Sequence, residues 1–334
     1  MNKTSIEWTD YSSNLIKYRD PDGKVVHGCV KVSPGCANCY ASAISKRFSG
    51  GEFTASRQKT LTPFFDEEEA RRILRSRATG KKVFVGDMTD VFGEWVPDEM
   101  LDRMFAVFAL RPDLTFQLLT KRPERMRAYL ASEDPDRYTC IDEAASDISG
   151  ESGVGVVTRW PLPNVWLGVS VEDQAAADER IPHLLATPAA VRFLSCEPLL
   201  EPVDLEPWLR RVATSGPGWR MTGGSAMAIA DIVLDWVIVG GESGPHARPF
   251  HLAWARSIVR QCRDAGVPVF VKQLGARPVD VEAHCAAHPG GALDGCGDFC
   301  RLRRELPTPF KTLDRAGADP TEWPEDLRVQ EFPR

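Results

Sequence analysis

The 334-residue chain lacks three features that mark whole classes of protein. An uninterrupted run of about 18 apolar residues is missing, so we expect no membrane span. The first residues form no apolar signal region, so we expect no export and a cytoplasmic location. The six histidines lack metalloprotease spacing, and a glycine-rich P-loop is missing, which argues against those two kinds of site.

Charge and cysteine content narrow the choice of partners. The formal net charge of −6 makes nucleic acid a less favoured partner, although a local basic groove would still be compatible with it. Nine cysteines in a chain without an export signal are better explained as metal ligands, reactive thiols or buried small residues than as disulfides. The 43% hydrophobic content supports a sizeable core.

The most informative residues are Cys29, Cys36 and Cys39, spaced C-x6-C-x2-C in a loop that also contains Pro34. Three thiolates can hold a [4Fe-4S] cluster and leave one iron open to a small molecule. With His27 as a fourth ligand, the same residues could instead hold a structural zinc ion. The spacing alone does not decide between these two interpretations.

Short apolar runs rich in β-branched residues alternate with helical patterns along the chain. Six runs are predicted strands: Lys82–Gly86, Thr115–Leu119, Val165–Val169, Val191–Ser195, Trp236–Val239 and Pro268–Lys272. Strands that alternate with helices indicate a parallel sheet, because each parallel connection needs a crossover element. We therefore predict an α/β fold, a partial (β/α) barrel of about six parallel strands, with a doubly wound open sheet as the alternative.

Polar residues follow each of these six strands. In a barrel such strand ends share one rim, which is where active sites form. A strand end that simply meets solvent would also be polar, but six successive cases favour a functional rim. The rim residues are Asp87, Asp90, Lys121, Ser170, Glu172, Glu197, Glu242 and Lys272.

We predict that residues 1–275 form the barrel and that residues 276–334 form a C-terminal extension. Residues near 131–163 are acidic, poorly periodic and rich in Ser and Gly, and residues near 211–232 contain Gly-rich stretches. Both segments are therefore predicted to be surface insertions, with a lid as the less frequent alternative.

Several motifs together resemble a known family. A cysteine loop that leads into a helix and then a barrel resembles the radical S-adenosylmethionine (SAM) enzymes. Within that superfamily, the chain resembles a phage-associated radical-SAM-like family of uncharacterised proteins, distantly similar to spore photoproduct lyase. The motifs that carry this resemblance are Ser5–Thr9, Gly28–Ala41, Leu118–Met126, Phe193–Leu200, Gly240–Gly244, Val271–Gln273 and Trp323–Arg328. The superfamily usually has C-x3-C-x2-C, so the first interval here is wider.

The resemblance implies a role for each set of residues. Cys29, Cys36 and Cys39 would bind three irons of a [4Fe-4S] cluster, and the fourth iron would bind SAM. The rim residues Asp87, Asp90, Lys121, Ser170 and Glu172 are candidates for contacts with SAM. The later rim residues Glu197, Glu242 and Lys272 are candidate catalytic groups. For each residue alone, a structural salt bridge is an equally good explanation.

A second thiol group consists of Cys285, Cys296 and Cys300. These cysteines could be scattered loop residues, zinc ligands together with a histidine, or a site for a soft acceptor or a second metal. Trivalent arsenic is one such acceptor. The noncanonical radical SAM enzyme of arsinothricin biosynthesis is understood to transfer a 3-amino-3-carboxypropyl group from SAM to arsenic, and a cysteine-lined acceptor site would suit that reaction.

The predicted function is therefore that of a radical SAM-type transferase or lyase. With a reducing electron donor, it would cleave SAM to a carbon radical and modify a small acceptor, with arsenite as one candidate. The first alternative is repair or modification of a nucleic-acid base. The second is a zinc-stabilised binding protein without catalysis.

Overall fold

The structure is a computed structural model that describes residues 1–49, 51–131, 136–151, 153, 155–209, 233–280, 310 and 312–333. It divides into two compact units. Unit 1 comprises Met1–Ser170 and Asp178–Phe193, and unit 2 comprises Val171–Ala177 and Leu194–Arg334. In the described part of the chain, no helix is long and apolar enough to cross a membrane. The predicted boundary near residue 275 stays a prediction.

Unit 1 contains most of the helices and strands. Its strands are β1 (Asn2–Lys3), β2 (Tyr11–Ser13), β3 (Ile16–Arg19), β4 (Val25–Val26), β5 (Thr62–Phe65), β6 (Lys82–Val85), β7 (Thr115–Thr120) and β8 (Val165–Ser170). Its helices are α1 (Tyr40–Ser49), α2 (Ala55–Gln58), α3 (Glu67–Leu74), α4 (Asp98–Ala109), α5 (Pro123–Leu130) and α6 (Asp136–Ser149). Helix α7 (Gln174–Leu185) and strand β9 (Val191–Cys196) contribute residues to both units.

The main sheet of unit 1 has the strand order β1-β2-β6-β7-β8-β9. The pairs β2–β6, β6–β7 and β7–β8 are parallel; Val83 is opposite Phe116, and Leu118 is opposite Leu167. Most residues of β6 are buried, as expected for a parallel sheet that is covered on both faces. Strands β3, β4 and β5 form a separate antiparallel sheet.

Helix α4 shows how the crossovers cover this sheet. It begins after Pro97, and Leu101, Phe105 and Phe108 recur at helical spacing and are fully or almost fully buried. The Phe108 ring stacks on Phe116 of β7, with 4.3 Å between the ring centroids. The apolar periodicity of α4 therefore fixes it against the centre of the sheet.

The insertion near residues 131–163 contains helix α6, so it is not a loop throughout. Arg137 at the start of α6 bonds Asp102 of α4 (3.0 Å), and Asp147 near its end bonds Arg103 (2.6 Å). Ion pairs between α4 and α6 do not require apolar residues at helical spacing. The segment is therefore poorly periodic in the sequence although it contains a helix.

Unit 2 contains the later part of the strand order, β9-β10-β12. Its elements are α8 (Glu206–Leu209), β10 (Trp236–Gly240), β11 (Phe250–His251), α9 (Leu252–Ala265), β12 (Val269–Gln273) and β13 (Pro278–Val279), followed by short 3-10 helices at Pro320–Glu322 and Glu325–Leu327. Strands β10 and β12 are parallel, with Ile238 opposite Phe270. Helix α9 ends at Gly266, whose φ of +69° favours glycine.

The predicted α/β class and the six predicted strands are confirmed, as β6, β7, β8, β9, β10 and β12. The sheet order contains eight strands rather than about six, because the short strands β1 and β2 add to the edge at β6. From β6 onward, the strands of this sheet follow one another in the order in which they occur in the chain. This order is typical of barrels, whereas a doubly wound sheet reverses its order at a switch point.

Candidate functional site

The cysteine loop occupies the residues between β4 and α1 in unit 1. Its short 3-10 helix, Pro34–Cys36, begins with Pro34 in the first turn, where a missing N–H costs nothing. Successive turns then bring the chain to Cys39, whose N–H donates to the Cys36 carbonyl (3.4 Å). All three thiols are free and partly buried.

Side chains from three other segments hold the backbone of this loop. The Thr89 hydroxyl donates to the Gly28 carbonyl (2.6 Å), and Arg57 donates to the His27 carbonyl (2.9 Å). Arg122 donates to the Val30 carbonyl (3.4 Å). The carbonyls on both sides of Cys29 are therefore fixed to the rest of unit 1.

Gly28 is required by close packing. A Cβ at this position would lie 2.5 Å from Gln58 Oε1 and 2.9 Å from Leu61 Cδ1. A larger residue would therefore require the buried Gln58 and Leu61 side chains to shift, directly before Cys29.

Two of the three thiols share an apolar environment. Cys29 and Cys39 both pack against a small buried cluster of Ala41, Phe53 and Met88. Burial raises the pKa of the Cys29 thiol to about 12, and the charges of Asp90 and Cys39 act in the same direction. Without a bound metal, Cys29 is therefore a neutral thiol at physiological pH.

His27 adds a nitrogen donor at the edge of the loop. Its Nδ1 is buried and has no hydrogen-bond partner among the described residues. Burial lowers the pKa of His27, and the positive charges of Lys17 and Arg57 lower it further, whereas Asp87 opposes this shift. The imidazole is therefore neutral near pH 7, which is the form that binds a metal.

The donor set fits a soft metal centre in its chemistry. The loop offers three free thiols, and Cys29 and Cys39 already share one apolar cluster. Within the described ranges, however, no group of three or more His, Cys, Asp or Glu side chains has the arrangement of a closed metal site. The Cys36 thiol lies 3.8 Å from Ser33 Oγ.

Asp90 joins the segments that follow β6 and β7. Its Oδ1 accepts from the Thr120 hydroxyl (2.7 Å) and from the Phe92 N–H (3.1 Å). Its Oδ2 accepts from the Lys121 N–H (3.0 Å) and lies 3.6 Å from the Arg122 guanidinium. The structure thus brings two predicted rim residues, Asp90 and Lys121, together through the Lys121 backbone.

Arg122 connects Asp90 to the cysteine loop. Its guanidinium bonds Glu94 (3.0 Å) and lies over the Trp95 ring, 4.7 Å from the centroid. Burial alone would lower the pKa of Arg122, but Asp90 and Glu94 raise it overall, so the side chain stays charged. Arg122 follows the same strand end as Lys121 in the sequence, but only Lys121 was predicted to contact a ligand.

Asp87 is linked to Asn14, between β2 and β3, and to helix α1. Its carboxylate accepts from Asn14 Nδ2 (2.5 Å), and its carbonyl accepts from the Tyr40 hydroxyl (2.6 Å). Asn14 in turn accepts from the Met88 N–H (3.1 Å). Asn14 and Tyr40 were also missed in the sequence; the only available signal was that Tyr40 directly follows Cys39.

The remaining predicted SAM contacts lie at the ends of strands. Ser170 ends β8 and is buried, and its carbonyl accepts from Arg180 (2.9 Å). Glu172, in unit 2, is buried. The pKa of Arg248 is raised mainly by its hydrogen bond to Glu242, and the charge of Glu172 raises it further. The side chain of Lys121 is partly exposed.

In unit 2, Glu197 and Lys272 come together, although β10 lies between their strands β9 and β12 in the sheet order. Glu197 Oε1 accepts from Lys272 Nζ (2.7 Å) and from Gln273 Nε2 (2.7 Å). Gln273 also donates to the Gly241 carbonyl (3.0 Å). A Cβ at Gly240 would lie 3.3 Å from Glu197 Cδ, so this glycine leaves room for the carboxylate.

Glu242 has a different environment. It is buried and accepts from the Arg248 N–H (2.8 Å), from Arg248 Nε (3.0 Å) and from the terminal nitrogen of the same guanidinium. These bonds close the loop that connects β10 to β11. The second thiol group, Cys285, Cys296 and Cys300, lies outside the described residues.

A family model described as "Protein of unknown function (DUF5131)" matches residues 3–298. No curated protein and no solved structure matches the chain.

Proposed function

The chain belongs to the DUF5131 family, and we propose that it is a noncanonical radical SAM-type enzyme on a partial (β/α) barrel. A [4Fe-4S] cluster held by Cys29, Cys36 and Cys39 would supply one-electron chemistry that cleaves a carbon–sulfur bond of SAM. The observation that carries the proposal is the group of three free thiols in one anchored loop. Three thiolates leave one iron open, which is what SAM binding requires.

The residues of unit 1 would bind and orient SAM. The partly exposed ammonium of Lys121 suits a carboxylate, and the Asp87 carboxylate suits an amino group. Asp90 holds the Lys121 backbone in place rather than meeting a ligand itself, since both of its oxygens already accept hydrogen bonds. Ser170, at the end of β8, is the proposed contact to the ribose. The ribose contact from Glu172, which belongs to unit 2, stays a prediction.

The Glu197–Lys272 pair in unit 2 is the proposed proton-handling group. The 2.7 Å bond to Glu197 orients Lys272 Nζ, which could donate a proton to the substrate. The bonds from Glu242 to Arg248 favour a structural role in its loop rather than direct catalysis.

The acceptor is proposed to be a small molecule. Transfer of a 3-amino-3-carboxypropyl group to trivalent arsenic, held by Cys285, Cys296 and Cys300, stays a prediction that rests on the affinity of thiolates for soft acceptors. Modification of a nucleic-acid base is the alternative, and the acidic net charge of −6 disfavours it.

A second candidate function is supported by His27. Its buried Nδ1, which has no hydrogen-bond partner in the described part of the chain, would suit a zinc ion bound with the three cysteines. The protein would then be a zinc-stabilised binding protein without catalysis.

Metal analysis separates the two candidates. We expect anaerobically purified and reconstituted protein to contain iron and sulfide and to show the visible absorption of an iron–sulfur cluster. Cys29→Ser, Cys36→Ser and Cys39→Ser should each lose most of the iron, whereas Cys140→Ser, an exposed cysteine on α6, should keep it. Colourless protein with one zinc, lost in His27→Ala, would refute the radical SAM proposal.

Product analysis then tests the reaction itself. Loaded protein, dithionite and SAM should give 5′-deoxyadenosine or methylthioadenosine, and the second product would indicate aminocarboxypropyl chemistry. Intact SAM in the presence of a reducible cluster would contradict the proposal.

A further inference from the structure

Two opposite charges are buried beside the cysteine loop in unit 1. The Asp90 carboxylate and the Arg122 guanidinium lie 3.6 Å apart, and their side chains are only 9% and 6% exposed. Water and salt screen charges that are buried this deeply much less than charges on the surface. The fields of both groups therefore act on their neighbours within unit 1.

Both charges are close to Cys29. The Asp90 N–H donates to the Cys29 sulfur. Thr89, the residue before Asp90, holds the carbonyl of the residue before Cys29 (2.6 Å). Arg122 donates to the carbonyl of Val30, the residue after Cys29 (3.4 Å). The backbone around Cys29 is thus fixed on both sides by the segments that carry the two charges.

The pKa of the Cys29 thiol responds to both charges. Burial raises this pKa most, the charge of Asp90 raises it further, and the charge of Arg122 lowers it. Negative charge at the sulfur is therefore opposed by Asp90 and favoured by Arg122. The same directions apply whether the negative charge comes from loss of a proton or from an added electron, because both effects are electrostatic.

We infer that the buried Asp90–Arg122 pair sets the reduction potential of the cluster held at Cys29, with Asp90 lowering the potential and Arg122 raising it. The inference rests on the proposed function, because it requires that cluster. Both side chains are positioning residues, which act through Cys29 and not on the substrate. A lower potential makes the reduced cluster a stronger one-electron donor.

Glu94 provides a matched control for Asp90. It carries the same charge and bonds the same guanidinium at 3.0 Å, but its side chain is 66% exposed. Solvent screens an exposed charge, so such a pair is worth little. Glu94→Gln and Asp90→Asn therefore each remove one negative charge from Arg122, and they differ in how deeply that charge is buried.

The test is a redox titration of the cluster-loaded protein with dithionite, followed by visible absorption. Dithionite gives up one electron to each cluster, and no bond is made or broken. Asp90→Asn should favour reduction about tenfold or more in the equilibrium constant, which is a rise of about 59 mV for one electron. Arg122→Gln should shift the potential by a similar amount in the opposite direction. Glu94→Gln should change the constant by about threefold or less.

Arg122→Lys separates the charge of this residue from its support of the loop. Lysine keeps the positive charge but loses the fork of donors that holds the Val30 carbonyl and Glu94. Arg122→Lys should therefore keep a potential close to that of the unchanged protein. A shift of the same size and direction in Arg122→Lys and Arg122→Gln would show that loop support matters instead of charge, and would overturn the inference.

The presence of a cluster separates this inference from the proposed function. The potential belongs to each cluster that forms, so it is measurable in a variant that is only partly loaded. Equal potentials in all variants, with a reducible cluster present, would overturn the inference and leave the proposed function standing. If Asp90→Asn holds no cluster, the comparison of Arg122→Gln with Arg122→Lys decides the question. Absence of a reducible cluster from the unchanged protein would overturn both.

Discussion

The carboxylate of Asp90 bonds buried groups of the fold and lies beside Arg122, which holds the cysteine loop. Asp90→Asn is therefore the most informative substitution. Asp90 is buried and accepts hydrogen bonds from Thr120, Lys121 and Phe92. Asparagine keeps one acceptor oxygen for Thr120 and Phe92, but its NH₂ group would face the Lys121 N–H and the Arg122 guanidinium. The NH₂ donor would then face a second donor and a cation in a buried space.

The expected loss in the free energy of unfolding depends on how deeply the Asp90–Arg122 pair is buried. The side chains of Asp90 and Arg122 are 9% and 6% exposed, and breaking a buried pair typically costs about 3–5 kcal/mol. Arg122 keeps its bond to Glu94, which places the expected loss at the lower end, about 3 kcal/mol. Glu94 is 66% exposed, so Glu94→Gln, the matched control, should cost about 0–1 kcal/mol.

Urea unfolding followed by circular dichroism measures both losses on the same scale. A second readout is the iron bound after reconstitution, which should fall in Asp90→Asn because Arg122 also holds the Val30 carbonyl next to Cys29. If Asp90→Asn and Glu94→Gln differed by less than about 0.5 kcal/mol, the size of an ordinary surface effect, burial would not control this network and the reasoning would fail.

Two further predictions concern the loop and the pH dependence of stability. Gly28→Ala should cost about 1–3 kcal/mol in urea unfolding and reduce bound iron, because its Cβ would overlap its neighbours. Gly155→Ala, where a Cβ meets nothing within 4 Å, is the control, and equal losses would contradict the packing argument. Burial opposes ionisation of Asp66, but Lys17 at 2.6 Å and two backbone N–H groups lower its pKa overall. A lowered folded-state pKa stabilises the fold above the unfolded value of about 3.9 and loses that effect as the pH falls. The stability difference between the unchanged protein and Asp66→Asn should therefore be largest above about pH 5 and shrink below about pH 4; a constant difference, or one that Asp22→Asn reproduces, would contradict this assignment.

The strands of the sheet were predictable because each is a short apolar run between polar ends. Strand β2 was missed, because its three residues, Tyr11–Ser13, become a strand only by pairing with β6. Helix α6 was missed for a related reason. Among its described side chains, the buried apolar ones are Ile141 and Ala145, and ion pairs to α4 supply much of its attachment.

The candidate site was predictable in position but not in detail. The polar residues at strand ends predicted a shared rim that includes Glu197 and Lys272, and in unit 2 these two side chains form a hydrogen bond. The same reasoning could not show that both carboxylate oxygens of Asp90 accept hydrogen bonds from Thr120 and Lys121, about thirty positions later in the chain. Nor could it show that Glu242 is paired with Arg248 six residues away, because rim position alone does not distinguish a ligand contact from an ion pair.

The cysteine loop depends on the rest of unit 1 for its conformation. Between β4 and α1 its only regular structure is one 3-10 helix, so side chains outside the loop must hold its backbone. Thr89, Arg57 and Arg122 do so at three carbonyls around Cys29, and each comes from a different part of the chain. Because the thiols are presented by these supports, a substitution at a support should lower metal binding even where it lies far from a cysteine in sequence. Such second-layer groups orient the ligands of a metal and typically change its affinity by about 10–100-fold.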